Sequence, residues 1–227
     1  MMDTNNPNLP VYELKIDDTD GSEVNFISLV KNPAIDINFF AFDNEGAKKK
    51  FCFKIQDSSK QKLAGPLMVP DMPIYRKDPD SGNEYYVKMS HETIEKAQEK
   101  FMFSAYNKNI NQNHSDVVLN SCLLENWIIE DPMRDKSTKY GFSNLPKGTW
   151  FGIVKIKDKE YWDAYIKTGE FSEGINGPGG AGFSVEGLFT YGDQLGIKRK
   201  FLSDKNSENT DEYWTKLADL IIKMGQN

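Results

Sequence analysis

Residues 63–75 read Leu-Ala-Gly-Pro-Leu-Met-Val-Pro-Asp-Met-Pro-Ile-Tyr. Pro66, Pro70 and Pro73 forbid a helix across this otherwise apolar stretch. Proline also lacks the N–H that a ladder needs, so pairing here is expected only at sheet edges. Other strand signals surround it. Val11–Ile16, Phe51–Ile55 and Trp150–Ile156 alternate apolar and polar residues, and Val24–Leu29 and Cys122–Ile129 read as further extended pieces, with Val117–Leu119 either joined to the latter or separate. Asp78-Pro79-Asp80-Ser81-Gly82 turns Tyr75 back onto Glu84–Met89, which predicts a hairpin.

Helical signals are fewer. Ser90 is placed to cap a helix from His91 to about Ala105, with Glu92 in the first turn and Ile94, Ala97, Phe101 and Met102 at helical spacing. Trp162, Tyr165 and Ile166 predict a short helix over Lys159–Lys167, ended by Thr168-Gly169. Trp214, Leu217, Ile221 and Met224 make Asp211–Met224 amphipathic, after a polar linker at Ser203–Thr210. Phe39, Phe40 and Phe42 require burial for Ile35–Phe42. The domain reading is a flexible arm over 1–10, a barrel domain over 11–200, a linker over 201–210 and a C-terminal helix over 211–225. The mixture of many strands and few helices is expected for an α+β chain with a closed or nearly closed sheet.

Bulk properties narrow the function classes. The 227 residues are 38% hydrophobic and 27% charged, which supports a packed core and argues against disorder. A net charge of −6 disfavours general nucleic-acid binding, because no basic field spans the domain. Lys48-Lys49-Lys50 reads as a solvated loop. The two cysteines, Cys52 and Cys122, lie far apart and outside any CxxC spacing, so neither a disulfide framework nor a zinc site is expected. The N-terminus has no signal-peptide pattern, and no stretch has the apolar length of a membrane helix.

The chemistry-bearing residues are scarce. His91 falls in the first turn of a helix, where a cation is disfavoured, and reads as an exposed surface residue. His114 ends a polar loop just before a strand, a common place for a catalytic base. Glycines 179, 180 and 182 feed a short strand carrying Ser184 and Glu186 on one face and Phe183, Val185 and Gly187 on the other. A hydroxyl held rigidly beside a glycine-rich bend suits a serine nucleophile, and an ordinary edge strand after a loop looks the same. Ser172 repeats part of this motif without a strand pattern after it. Cys122 sits in an apolar strand and reads as a small buried residue. Asp131 and Asp135 match no calcium-loop spacing. No cofactor and no metal is expected.

Several segments, in order, resemble the caudovirus prohead serine proteases, the capsid-maturation proteases of tailed phages, and in particular their XkdF-like branch. They are Ile27-Ser-Leu-Val-Lys-Asn-Pro-Ala-Ile35, Gly65–Tyr75, the helix after Ser90, Asn113-His114, Glu125-Asn-Trp-Ile-Ile-Glu-Asp-Pro132, Gly148-Thr-Trp150 and Gly182-Phe-Ser-Val-Glu-Gly187. The resemblance spans about residues 25–190. It implies a fold similar to the herpesvirus assemblin protease, a mostly antiparallel β-barrel surrounded by short helices. It further implies a Ser-His dyad with Ser184 as nucleophile and His114 as base, and an oxyanion hole of backbone N–H groups.

The third member stays open between two carboxylates. Glu186 shares a strand face with Ser184, about 7 Å along, and Asp116 lies two residues past His114. Glu186 is as well explained as a partly exposed strand carboxylate. Residues 171–181 depart from the branch pattern as an apparent insertion before the serine strand. The resemblance implies cleavage of scaffold and major capsid precursor proteins, and of the chain itself, inside a procapsid assembling in the host cytoplasm. Homodimers or higher oligomers are the expected assemblies, without nucleic-acid or membrane partners. The alternative is a protease-like fold that joins capsid assembly without cutting.

Overall fold

The computed structural model describes residues 9–31, 54–78, 81–168, 171, 181–192 and 198–202. Its strands are β1 (Val11–Lys15), β2 (Glu23–Val30), β3 (Lys54–Asp57), β4 (Lys62–Met68), β5 (Ile74–Lys77), β6 (Glu84–Met89), β7 (Ile110–Gln112), β8 (Ser121–Ile128), β9 (Trp150–Ile156), β10 (Gly182–Gly192) and β11 (Lys198–Leu202). They form two sheets. The larger has the order β5-β6-β1-β10-β2-β7, with β11 also on β10, and curls into a half-barrel. The smaller has the order β3-β4-β9-β8. The pairs β1–β6 and β2–β7 are parallel, and the other strand pairs are antiparallel. The chain is therefore α+β and mostly β.

The main helix, α1, covers His91–Phe103. Ser90 Oγ accepts from the backbone N–H of Thr93 at 3.3 Å, and Glu92 lies in the first turn. Such a cap stabilises a helix by about 1 kcal/mol. Thr93, Ile94, Ala97 and Phe101 form its buried face. Phe101 meets Trp150 edge-on at 5.4 Å between ring centroids, which ties the helix to β9.

Strand alternation decides what each sheet covers. Leu63 and Leu67 of β4 and Trp150, Val154 and Ile156 of β9 enter the main core. Ala64, Phe151 and Ile153 point the other way, into a second cluster with Ile129, Phe142 and Leu145. The smaller sheet is thus apolar on both faces, so β9 is a nearly unbroken hydrophobic run and not the alternating strand expected for Trp150–Ile156. On the larger sheet, Ile27, Leu29, Ile110 and Phe183 turn into the main core. Each fully buried side chain of this kind contributes about 1.5–3 kcal/mol. Their strand neighbours Ser28, Asn111, Ser184 and Glu186 take the opposite face.

The hairpin expected around residues 78–82 is β5–β6. The backbone N–H of Gly82 donates to Asp78 O at 2.8 Å, and Gly82 holds φ +73°. Pro66 sits in β4, a strand with neighbours on both sides, which corrects the expectation of edge-only pairing. Local geometry is consistent with the tolerance: among the described residues β3 pairs with β4 as far as Ala64, and a bulge against β9 follows Pro66. Among the described residues Val117–Leu119 forms no strand; Val118 bridges to Asn111, and Leu119 N donates to Ile110 O at 2.7 Å. The strand expected at 51–55 covers 54–57 within the described residues. Lys159–Lys167 is helical, with one α-turn running into a π-helical segment.

Two side chains depart from expectation. His91 is half-buried, not exposed. Gly148, at φ +87°, lies so close that a Cβ there would come within 2.7 Å of the His91 ring. The left-handed turn before β9 lets the loop close over the imidazole. Cys122 is half-buried, because β8 is an edge strand of its sheet, and Asn107 Nδ2 donates to its Sγ at 3.4 Å. The expectations for Cys52, Ile35–Phe42, Lys48–Lys50, Ser172, the 203–210 linker and the C-terminal helix lie outside the described residues. Composition signals no strand over 198–202, where β11 pairs with the end of β10.

Candidate active site

β10 is eleven residues long, and its first half lies antiparallel to β2. The register sets Ser184 opposite Ser28. β2 in turn lies parallel to β7, with Ser28 beside Asn111. One row across three strands therefore carries Ser184, Ser28 and Asn111 on the face away from the main core, and Glu186 follows Ser184 on that same face. All four are buried, with exposures of 8% for Ser184, 0% for Ser28, 2% for Asn111 and 4% for Glu186. Buried polar groups need partners, and these find one another.

His114 reaches the row through a tight reversal. Asn113 and His114 both take left-handed backbone, at φ 49° and 57°. Asn and His tolerate this region better than most residues, but consecutive left-handed positions still require support. Asn113 N donates to Leu29 O at 2.8 Å and Ser115 N donates to Gln112 O at 3.0 Å. The reversal folds the imidazole back over β2.

There, His114 Nδ1 lies 3.1 Å from Glu186 Oε1 and 3.1 Å from Ser28 Oγ. Asn111 Nδ2 donates to Glu186 Oε1 at 2.8 Å, and the Ser28 hydroxyl lies 2.6 Å from Asn111 Oδ1 and in close contact with Glu186 Oε1. Burial, the largest single influence, opposes ionisation of Glu186. The hydrogen bonds from His114, Ser28 and Asn111, with the attraction of the imidazolium, outweigh it and hold the carboxyl below the ordinary glutamate range. Glu186 is therefore an anion at neutral pH.

Of the two carboxylates, Glu186 is the one set against the imidazole, and Asp116 is exposed on the following loop. Glu186 is buried, not the partly exposed strand carboxylate of the bland reading. Ser184 shares the row, but among the described residues it makes no hydrogen bond to His114. With Nδ1 engaged, Nε2 is the ring nitrogen left to exchange a proton, and among the described residues it makes no hydrogen bond. A carboxylate on Nδ1 fixes the ring and stabilises an imidazolium, as a general base requires.

Ser28 and Asn111 have no role in the sequence reading. Asn111 lies in what reads as a polar loop, and Ser28 falls within the first of the resembling segments without being singled out. The usable signal was the lone hydroxyl in Phe26-Ile-Ser-Leu-Val30, since a polar group inside an apolar run must be satisfied from elsewhere in the fold.

Among the described residues no group of three His, Cys, Asp or Glu side chains is placed to hold a metal ion. Asp135 instead receives Trp127 Nε1 and caps the turn at Ser137 N. Of the glycine-rich stretch, Phe171 and Ala181 are described, and both are buried. Among the described residues no helix is long and apolar enough to cross a membrane.

A family model described as "Putative phage serine protease XkdF" matches residues 52–183, more than half of the chain. The chain belongs to this family. The XkdF match includes Asn111 and His114 and ends one residue before Ser184, while Ser28 lies upstream of it. No curated protein and no solved structure matches the chain.

Proposed function

We propose that the chain is a serine endopeptidase that acts in an assembling phage procapsid, with Ser184 as nucleophile, His114 as general base and Glu186 as the group that orients the base. The observation that carries this reading is the 3.1 Å contact between His114 Nδ1 and the buried Glu186 carboxylate, on the sheet face that also presents Ser184. Membership of a phage serine protease family supports the reaction class.

In this reading Ser184 Oγ attacks the scissile carbonyl carbon while its proton passes to His114 Nε2. Backbone N–H groups near the start of β10 receive the oxyanion. The imidazolium, stabilised by Glu186, returns the proton to the leaving amine, and an acyl-enzyme remains on Ser184. Water then enters with the same base, and the acid product leaves. A rotamer change at Ser184 or His114 brings Oγ to Nε2 when substrate binds, since catalytic hydrogen bonds commonly tighten only in the complex.

The substrates are scaffold and major capsid precursor proteins, and the chain itself. The setting is the host cytoplasm inside the procapsid, the assembly a homodimer or larger oligomer, and the two-sheet architecture a variant of the assemblin barrel. Ser184→Ala in assembling particles is the test. Loss of precursor cleavage is expected, and unchanged cleavage would place the nucleophile elsewhere.

One observation favours a second reading. Ser184 and His114 share no hydrogen bond among the described residues, as suits a protease-like fold that binds scaffold or shell without cutting. A fluorophosphonate probe separates the two. Labelling of Ser184 that depends on His114 supports the enzyme, and absence of labelling in assembled particles supports the binding role.

A further inference from the structure

This inference deepens the reading of His114 as a base and rests on it. Ser28 and Asn111 belong to none of the roles assigned above, yet both are buried against the carboxylate–imidazole pair. We propose that Ser28 and Asn111 are positioning residues that, through Glu186, hold the neutral His114 imidazole in its Nδ1–H tautomer.

The proton count in this cluster carries the proposal. Glu186 Oε1 has three neighbours at hydrogen-bonding distance: Asn111 Nδ2, His114 Nδ1 and Ser28 Oγ. Ser28 Oγ also has three: Asn111 Oδ1, Glu186 Oε1 and His114 Nδ1. Asn111 Nδ2 can only donate, so Asn111 Oδ1 faces Ser28 as an acceptor. The Ser28 hydroxyl has one proton, and both Asn111 Oδ1 and the carboxylate compete for it. None is left over for Nδ1.

A bare Nδ1 lone pair would face the carboxylate oxygen and the Ser28 oxygen, both electron-rich, at 3.1 Å. A proton on Nδ1 turns both contacts into attractive ones. The cluster therefore selects Nδ1–H and leaves the lone pair on Nε2, the nitrogen that must take a proton from a nucleophile. It also disfavours Ser28 as that nucleophile. Ser28 is wholly buried and stands on the same side of the ring as Glu186, whereas the proton-accepting nitrogen is on the other side.

The test is 15N NMR of the full chain labelled at histidine, in the wild type and in Ser28→Ala and Asn111→Ala. The wild type is expected to show neutral His114 mainly as Nδ1–H. Each variant is expected to shift it toward Nε2–H, the form free imidazole prefers. Ser28→Ala adds no volume, and an unmoved His91 resonance reports that the fold is kept. Labelling by a fluorophosphonate is expected to slow by about 10- to 100-fold, the scale for partners that orient a functional histidine.

An unchanged tautomer in both variants overturns the proposal. Mapping the wild-type adduct tests the underlying reading separately. If the tautomer shifts but the label maps away from Ser184, the nucleophile assignment fails and the positioning role stands. If the label maps to Ser184 and the tautomer is unmoved, the reverse holds.

Discussion

Ser28 and Ser184 stand directly opposite each other in β2 and β10, and the Oγ of Ser28, the more deeply buried of the two, lies 3.1 Å from His114 Nδ1. The two hydroxyls thus stand opposite each other in different circumstances. Ser28 is held in a closed network with Glu186 and Asn111, while Ser184 has no bond to His114 among the described residues. In the proposed reading the difference in burial separates the roles: a nucleophile must meet a substrate carbonyl, and the fully buried Ser28 oxygen cannot.

The expected kinetic contrast is large. Ser184→Ala should abolish cleavage by a factor on the order of 10^6, as for removal of a nucleophile from a serine protease. Ser28→Ala should leave measurable turnover. Cleavage of a purified precursor substrate, followed by mass spectrometry of the products, checks both. Equal losses in the two variants would contradict separate roles.

Glu186→Gln probes the carboxylate. The side chain keeps its shape and loses its charge, so the imidazolium of the transition state loses its counter-ion. Turnover is expected to fall about 10^2- to 10^4-fold. Stability should respond as well. The folded pKa of Glu186 is depressed, so its ionisation favours the folded state above the unfolded value of about 4.3. Between the folded and unfolded pKa values the unfolded chain binds more protons, and stability falls as pH falls. The stability gap between wild type and Glu186→Gln should be widest near neutral pH and narrow below about pH 4. Denaturant melts across that range measure it, and a gap independent of pH would contradict the ionised, hydrogen-bonded state.

Much of this site was legible in the sequence, for a definite reason. Strand periodicity puts Ser184 and Glu186 on one face regardless of tertiary detail, and the scarcity of histidine left His114 as the one well-placed base. Cross-strand register is another matter. That Ser28 meets Ser184, and Asn111 meets Ser28, depends on which strands become neighbours, and pairs 156 and 83 residues apart leave no local trace. The same limit explains His91. Its burial comes from Gly148, a loop residue more than fifty positions away. Pro66 shows a related failure, because the rule confining proline to edges applies residue by residue, and among the described residues the β3 partner of β4 reaches only to Ala64.

The left-handed pair at Asn113 and His114 offers a stability test close to the site. Asn113→Val places a β-branched residue at φ 49°, at an expected cost of about 1–3 kcal/mol. Asn113→Gly adopts the same backbone without steric penalty and should stay within about 1 kcal/mol of wild type. Chemical denaturation of the two variants decides it. Equal stability would mean that the reversal is not strained.

Gly187 ends the serine motif, and its role is steric. The ladder between β10 and β2 shifts between Glu186 and Gly187: Glu186 pairs with Phe26 and Gly187 with Val24, which leaves Asn25 as the extra residue of a bulge. The bulge presses β2 against Gly187, where a Cβ would lie 2.2 Å from Glu23 O and 2.8 Å from Val24 Cα. Both are backbone atoms, so no side-chain rotation relieves the clash, and the strands must part. Gly187→Ala is expected to destabilise the fold by about 1–3 kcal/mol, the range for overpacking a close-packed interior. The displaced segment carries Glu186, so activity should fall further than stability alone explains. Thermal melts and cleavage rates, taken together at a temperature where the variant remains folded, separate the two effects. Wild-type stability in Gly187→Ala would show that the strands part without cost.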